Sequence, residues 1–344
     1  MGSWTRYCLG CLILILAFSV FSALLILPTI LWKPRELQIL VGSIFDQVPE
    51  DTSDHHWGYG VLQKIKMLLP KDWGKKYADC DLNIQSPINI ETSRVINNSL
   101  LVPMEYINYE ARPANDVWTV SNNGHTVQFS AEFIEVPQLT GGGLVEGQYD
   151  FRQLHFHWGG NDSRGSEHAI DGKQYPLEVH LVHINSANSS GPYKIAVLGV
   201  LFELSTKDEN EASVNDLEPM DMISSTVLTV RRFGTKTVRL PGFTLSQLLP
   251  SQPQYFRYYG SLTTPPCSQH LQWTLMQHPI PITRLQLQRF RRILSGHAHA
   301  TNGHVETADT NHEDSHNEAD GERIVDNYRP YQEVSGRVVN YFSG

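Results

Sequence analysis

Two short runs hold the imidazoles from which chemistry could be built. In Gln153-Leu154-His155-Phe156-His157-Trp158 two histidines are spaced by one residue, and in Glu178-Val179-His180-Leu181-Val182-His183 a glutamate precedes a histidine by two. Side chains alternate between the faces of a strand, so Gln153, His155 and His157 share one face, as do Glu178, His180 and Val182. If the two strands are neighbours, three neutral imidazoles converge. With one tetrahedral position left open, such a donor set suits a catalytic zinc ion (Zn2+) holding a reactive water. Gln153 and Glu178 each sit two residues from a candidate ligand on the same face, where they can accept its second ring N–H and fix the tautomer. A lone His-x-His more often marks core histidines, and the second strand with its own polar partner is what makes this a candidate metal site.

The elements that must position these residues read as strands. Runs rich in Val, Ile, Phe and Thr at 117–120, 126–129, 153–158, 178–184, 195–204 and 271–276 alternate with Gly, Pro and Asn turns, which predicts a mainly β (α+β) domain. A helical period over 285–294, with Gly296 suited to its end, predicts one helix. The segment 297–322 then interrupts with five histidines, seven acids and hardly any apolar side chain, the composition of a solvated, disordered loop.

The 344 residues carry a formal charge of −9, and much of the acid excess lies in that segment. No basic cluster is available for nucleic acid, and the aromatic content is ample for a packed core. Residues 9–31 are almost wholly apolar, long enough to cross a bilayer, so 1–32 reads as a signal-anchor or a cleaved signal peptide. A linker over 33–53 follows, and the globular sequence covers 54–344. Beyond the apolar segment only Cys80 and Cys267 remain, either a pair closing one long loop or two separate buried thiols. Sequons at Asn97, Asn161 and Asn188 fit an exported glycoprotein, placed on the extracellular side of a membrane or secreted.

Eight ordered strings extend the pattern: His55 to Gly60, Gln85 to Ile90, Asn122-Asn123-Gly124-His125, Gln153 to Trp158, Gly165-Ser166-Glu167-His168, Glu178 to His183, Ser261 to Pro266, and Asn327-Tyr328-Arg329-Pro330. Together they resemble the alpha-class carbonic anhydrases across nearly all of the globular part. The resemblance implies a single domain around a twisted, largely antiparallel central sheet of about ten strands. It also implies a lyase that hydrates carbon dioxide reversibly to bicarbonate and a proton by a zinc-bound hydroxide.

Residue by residue, the resemblance makes His155, His157 and His180 the zinc ligands, with Gln153, Glu178 and Asn327 supporting them. Thr263 and Glu167 would aim the hydroxide, and Val182, Val197, Leu262, Thr264 and Trp273 would line the pocket for carbon dioxide. His125 matches the proton shuttle, with Tyr59, Asn123 and Gln128 ordering the waters on its path. His168 and His183 read as structural, hydrogen-bonded histidines. Cys80 and Cys267 fall where exported members carry a disulfide. The insert 297–322 has no counterpart in the minimal domain and offers weak divalent-metal binding, which leaves two alternatives open: a biomineral-matrix or metal-buffering protein with auxiliary catalysis, or a catalytically weak binding module of the same fold.

Overall fold

The computed structural model describes residues 57–60, 67–145, 147–185, 187, 192–205, 214–238, 242–295 and 322–344. The apolar segment 1–32, the linker 33–53, the sequon at Asn188, Gly296 and all of the insert except Glu322 lie outside the described residues. Among the described residues, no helix is long and apolar enough to cross a membrane.

The early strands are β1 (Asn89–Ile90), β2 (Ile96–Asn97), β3 (Met104–Ile107), β4 (Thr119–Asn122), β5 (Val127–Ser130), β6 (Gln138–Gly141), β7 (Tyr149–Trp158) and β8 (Ala169–Ile170). They are followed by β9 (Leu177–Asn185), β10 (Ile195–Leu204), helix α1 (Val214–Val227), β11 (Lys236–Val238), β12 (Tyr255–Ser261), β13 (Gln269–Met276), β14 (Ile280–Ile282), helix α2 (Arg284–Phe290) and β15 (Asn340–Phe342). Among the described residues, thirteen strands join one sheet in the order β11-β4-β5-β7-β9-β10-β13-β12-β15-β2, with β14 on β10 and with β3 on β6, which pairs with β7. Most neighbours are antiparallel, as expected. Three pairs run parallel, β10 with β13, β10 with β14 and β15 with β2, so the sheet is mixed.

The centre of this sheet is covered on both faces. All nine residues of β9 are buried, polar ones included. One face meets the main apolar core, where Leu154, Phe156, Trp158, Val179, Leu181, Leu198 and Val200 pack with α1, α2 and the Trp118–Phe243 stack. The alternate residues of the same strands face the other way, and these are the histidines and their partners.

Helix α2 braces β7 from the apolar side. Thr283 caps it, accepting from the Gln286 N–H while the Gln286 side chain returns to the Thr283 N–H. Its Phe290 ring lies 5.0 Å from Phe156 and 5.5 Å from Trp158, between centroids. Emptying such a site by Phe156→Ala costs about 3–5 kcal/mol. The helix predicted over 285–294 begins one residue early and stops at Phe290. Beyond it the backbone is committed elsewhere: the Leu294 N–H donates to Arg231 O at 2.8 Å, and Ile293 O accepts from the Ile324 N–H at 2.8 Å.

Candidate metal centre

The register of β7 against β9 builds the site. His155 lies opposite His180 and His157 opposite Glu178, after a bulge between Phe151 and Gln153 that resets the pairing. Ring centroids stand 5.2 Å apart for His155–His157, 5.2 Å for His155–His180 and 4.6 Å for His157–His180. One ring nitrogen from each lies within 4.8 Å of the others.

The outer nitrogens are all spoken for. His155 Nδ1–H donates to Gln153 Oε1 at 2.9 Å, His157 Nδ1–H to the Asn327 carbonyl at 2.8 Å, and His180 Nε2–H to Glu178 Oε1 at 2.7 Å. Each imidazole thus spends its one proton outward and turns a lone pair inward. His157 Nε2 is buried without a hydrogen-bond partner, and Glu167 Oε2 lies 3.5 Å from it and 3.9 Å from His180 Nδ1. Lone pairs that face one another with no proton donor among the three rings call for a cation, and three neutral imidazoles are a donor set that zinc accepts. The residues present therefore fit the metal.

The electrostatics agree. Burial, then the nearby His157 and His180 rings, holds His155 well below the usual imidazole range; burial, then His180, brings His157 to about 3 against the pull of the Asn327 carbonyl. Burial also lowers His180, although Glu178 pulls the other way. Burial alone would raise Glu178, but the His168 and His180 rings outweigh it and keep its carboxyl well below the ordinary range. That carboxylate accepts from the backbone N–H groups of Glu167 and His168, both at 2.9 Å, and from His168 Nδ1 at 2.7 Å besides His180. His168, Glu178 and His180 also form a tight cluster, yet their facing atoms are joined by hydrogen bonds, which makes them a support for His180.

The eukaryotic-type carbonic anhydrase family matches residues 68–343. Carbonic anhydrase 7 of Mus musculus is 36% identical over 297 residues, covering 84% of this chain and 97% of that protein, and its Homo sapiens counterpart is 35% identical over the same shares. A putative carbonic anhydrase 3 of Caenorhabditis elegans is 38% identical over 211 residues, 61% of this chain and 79% of that protein. The chain belongs to the eukaryotic-type carbonic anhydrase family. It is a carbonic anhydrase lyase, with carbon dioxide and bicarbonate as substrate and product.

Around the imidazoles, this carbonic anhydrase brings most of its sequence-predicted residues together. Val182, Val197 and Trp273 form one row across β9, β10 and β13, all buried, and the Trp273 ring stands 4.8 Å from His180. Thr263 is buried in the turn after β12, with Leu262 and Thr264 half-buried beside it. Burial pushes the Glu167 carboxyl well above its usual range, against the Arg329 N–H at 2.8 Å and the Thr263 hydroxyl, which favour the charged form. Cys80 and Cys267 form a disulfide, and the Cys267 N–H donates to Thr264 O at 2.8 Å, so the bridge anchors the Thr263 turn.

His125 stacks on Trp57 with ring centroids 3.7 Å apart, beside a half-open cavity of about 420 Å³ that Tyr59, Met67, Ser295, Arg323 and Ile324 help to line. Gln128 lies opposite His155 in the β5–β7 register. Asn123 is exposed, and its Oδ1 accepts the backbone N–H groups of His125 at 3.0 Å and Thr126 at 2.9 Å, which shapes the turn that carries His125. His168 and His183 are structural, as read. His183 meets the Tyr109 hydroxyl at 2.6 Å and Leu181 O at 3.0 Å. Sequence reasoning gave Arg329 no role, and nothing in its spacing signals that its backbone N–H would hold Glu167.

Proposed function

We propose that the enzyme works with zinc held by His155, His157 and His180. The observation that carries this reading is the buried, unpartnered His157 Nε2 facing Glu167 Oε2 within a ring of inward lone pairs. When bound, zinc in this family is known to bring a water to a pKa of about 7, which makes a nucleophile available at neutral pH.

The chain's own residues aim and feed that nucleophile. With its hydroxyl proton given to the Glu167 carboxylate, Thr263 Oγ1 can only accept, so it selects a nucleophile that still carries a proton and turns its lone pair toward carbon. Val182, Val197, Leu262, Thr264 and Trp273 keep water from the place beside it and offer an apolar rest for a substrate without a dipole. His125 takes up the product proton, because imidazole gives and receives protons near neutrality. Tyr59, Asn123 and Gln128 order water on the way. Burial, then the Glu167 charge, pushes the Tyr59 hydroxyl well above its usual range, so it remains a neutral donor.

The same reading places the globular part outside the cytosol, behind the segment 1–32 as signal-anchor or signal peptide. The Cys80–Cys267 bridge supports an oxidising compartment, and the sequons at Asn97 and Asn161 are solvent-exposed, as glycans require.

Stopped-flow hydration of carbon dioxide, with and without a zinc chelator, tests the mechanism alongside metal analysis of His180→Ala. One zinc per chain, activity lost on chelation and restored by zinc, and a zinc-poor, inactive variant are expected. Normal zinc and normal rate in His180→Ala would overturn the ligand assignment.

A further inference from the structure

Asn327 is buried and every polar atom it owns is engaged. Its backbone carbonyl takes the His157 Nδ1–H at 2.8 Å, and its backbone N–H donates to Trp158 O at 3.3 Å. Its side-chain Oδ1 accepts the Trp158 N–H at 2.7 Å, while Nδ2–H donates to the carbonyls of His125 at 3.0 Å and Phe156 at 3.2 Å. Backbone and side chain of one residue therefore hold two different parts of the machinery: the carbonyl holds a candidate zinc ligand, and the amide holds the turn that carries His125.

The rest of that turn is fastened locally or to distant strands. Asn122 Oδ1 accepts the Gly124 N–H at 2.9 Å, and Asn122 Nδ2–H reaches Leu294 O at 2.9 Å. Thr126 Oγ1–H donates to Phe156 O. Among the described bonds, Nδ2 of Asn327 is the one that ties the His125 backbone itself to the residue supporting His157.

We infer that the Asn327 side chain is a positioning residue for proton export, fixing the His125 turn against the metal centre so that the water bridge between them keeps one length. The inference rests on the reading of His125 as the proton carrier. Proton transfer through hydrogen-bonded water requires the donor and acceptor to stay within bridging reach, and a turn that drifts outward breaks the chain of waters without disturbing carbon dioxide attack. Because the zinc-side contact is made by the backbone carbonyl, a change of side chain separates the two duties.

Asn327→Asp retains an oxygen for the Trp158 N–H and replaces the donor to His125 and Phe156 with an acceptor. Asn327→Ser removes all three side-chain bonds without burying a charge, and serves if the aspartate variant folds poorly. Turnover and kcat/KM are measured in dilute and in imidazole buffer, with zinc content and amide hydrogen exchange, and with His125→Ala in parallel. In dilute buffer turnover should fall by roughly tenfold while kcat/KM stays within about twofold, and imidazole should restore most of the loss. Zinc content should hold, and the His125 and Thr126 amides should exchange faster. Normal turnover in dilute buffer overturns the inference, as does a loss that imidazole does not repair, or a joint fall of turnover, kcat/KM and zinc, which would make Asn327 only a support for His157. If His125→Ala is slowed and rescued while both Asn327 variants behave normally, only this inference falls. If His125→Ala turns over normally, the proton-carrier reading falls and this inference with it.

Discussion

His155 and His180 stand directly opposite each other on antiparallel β7 and β9, their rings perpendicular and 5.2 Å apart between centroids. Strand register, rather than a loop, thus sets the spacing of the metal site. A one-residue slip would send His180 and Glu178 to the apolar face, and the packed Leu181 and Val179 on that face oppose such a slip. The next residue across is Gly199 of β10, paired with His180 on its other side. A Cβ there would stand 2.9 Å from Leu275 Cδ1 and 3.3 Å from Glu178 Oε1, so a glycine leaves the space in which Glu178 orients His180.

Gly199→Ala should therefore injure the metal site without touching a ligand. Displacing Glu178 loosens the acceptor of His180 Nε2–H, and losing such a support typically weakens zinc binding by about 10–100-fold. Overpacking should cost about 1–3 kcal/mol of stability as well. Competition with a chelator of known affinity reads the first effect and urea unfolding the second. Wild-type zinc affinity in a folded variant would show that Glu178 does not need this space.

Burial holds His183 at about 3, although Leu181 O and Ala196 pull upward. Its folded pKa lies below the unfolded value of about 6.5, so between those limits the unfolded chain binds a proton that the folded chain refuses. The stabilisation is complete above neutrality and is lost as pH falls. His183→Gln removes this titration while the other buried histidines cancel in the comparison. Between pH 7 and pH 5 the zinc-loaded wild type should lose about 2 kcal/mol more than the variant in urea unfolding. Parallel losses in both proteins would place the acid sensitivity elsewhere.

The strands and the three imidazoles are legible in the sequence because a period of two shows in eight or so residues, and both histidine runs display it. The supports that come from afar are not legible in spacing: Asn327 came only through the family resemblance, and Arg329 was given no role. The Asn327 carbonyl reaches His157 across 170 residues and the Arg329 N–H reaches Glu167 across 162, and backbone groups carry no sequence signature. Helix α1 escaped reading for a local reason. Its buried Met220, Ile223 and Val227 do keep helical spacing, but Pro219 stands inside the helix and polar residues dilute the period. Helix α2 was legible from its period to within one residue at its start, and not at its end, which is set by pairing with Arg231 and Ile324.

The Cys80–Cys267 bridge spans 187 residues of sequence and fastens the Thr263 turn to the segment around Trp73. Loop-closure entropy assigns such a bridge about 5 kcal/mol. The double variant Cys80→Ser, Cys267→Ser should lose stability of that order in urea unfolding. Unreduced peptide mapping of protein from its native compartment should recover the linked pair. Two free thiols there would argue for the cytosol and against export.

The insert 297–322 begins and ends at one place. The Ser295 N–H donates to Glu322 O at 2.7 Å, and Leu294 pairs with Arg323 in an antiparallel bridge, so the residues flanking the segment are joined by one short ladder. Ser295, Arg323 and the insert's last residue, Glu322, line the cavity beside His125, yet none of the proposed zinc ligands or of the residues proposed to receive carbon dioxide belongs to the insert. Replacing 297–321 with a short Gly-Asn turn should therefore leave carbon dioxide hydration within about twofold of wild type, because loop tips tolerate such changes when the flanking backbone bonds persist. Closing a shorter loop should also add about 1–2 kcal/mol to stability. Calorimetry with zinc or calcium should show any weak uptake by the five imidazoles and six carboxylates of 297–321 disappear with the segment. A folded deletion variant that binds zinc normally but has lost hydration would mean that the insert completes the active site, and that its composition is the wrong guide to its part in the enzyme.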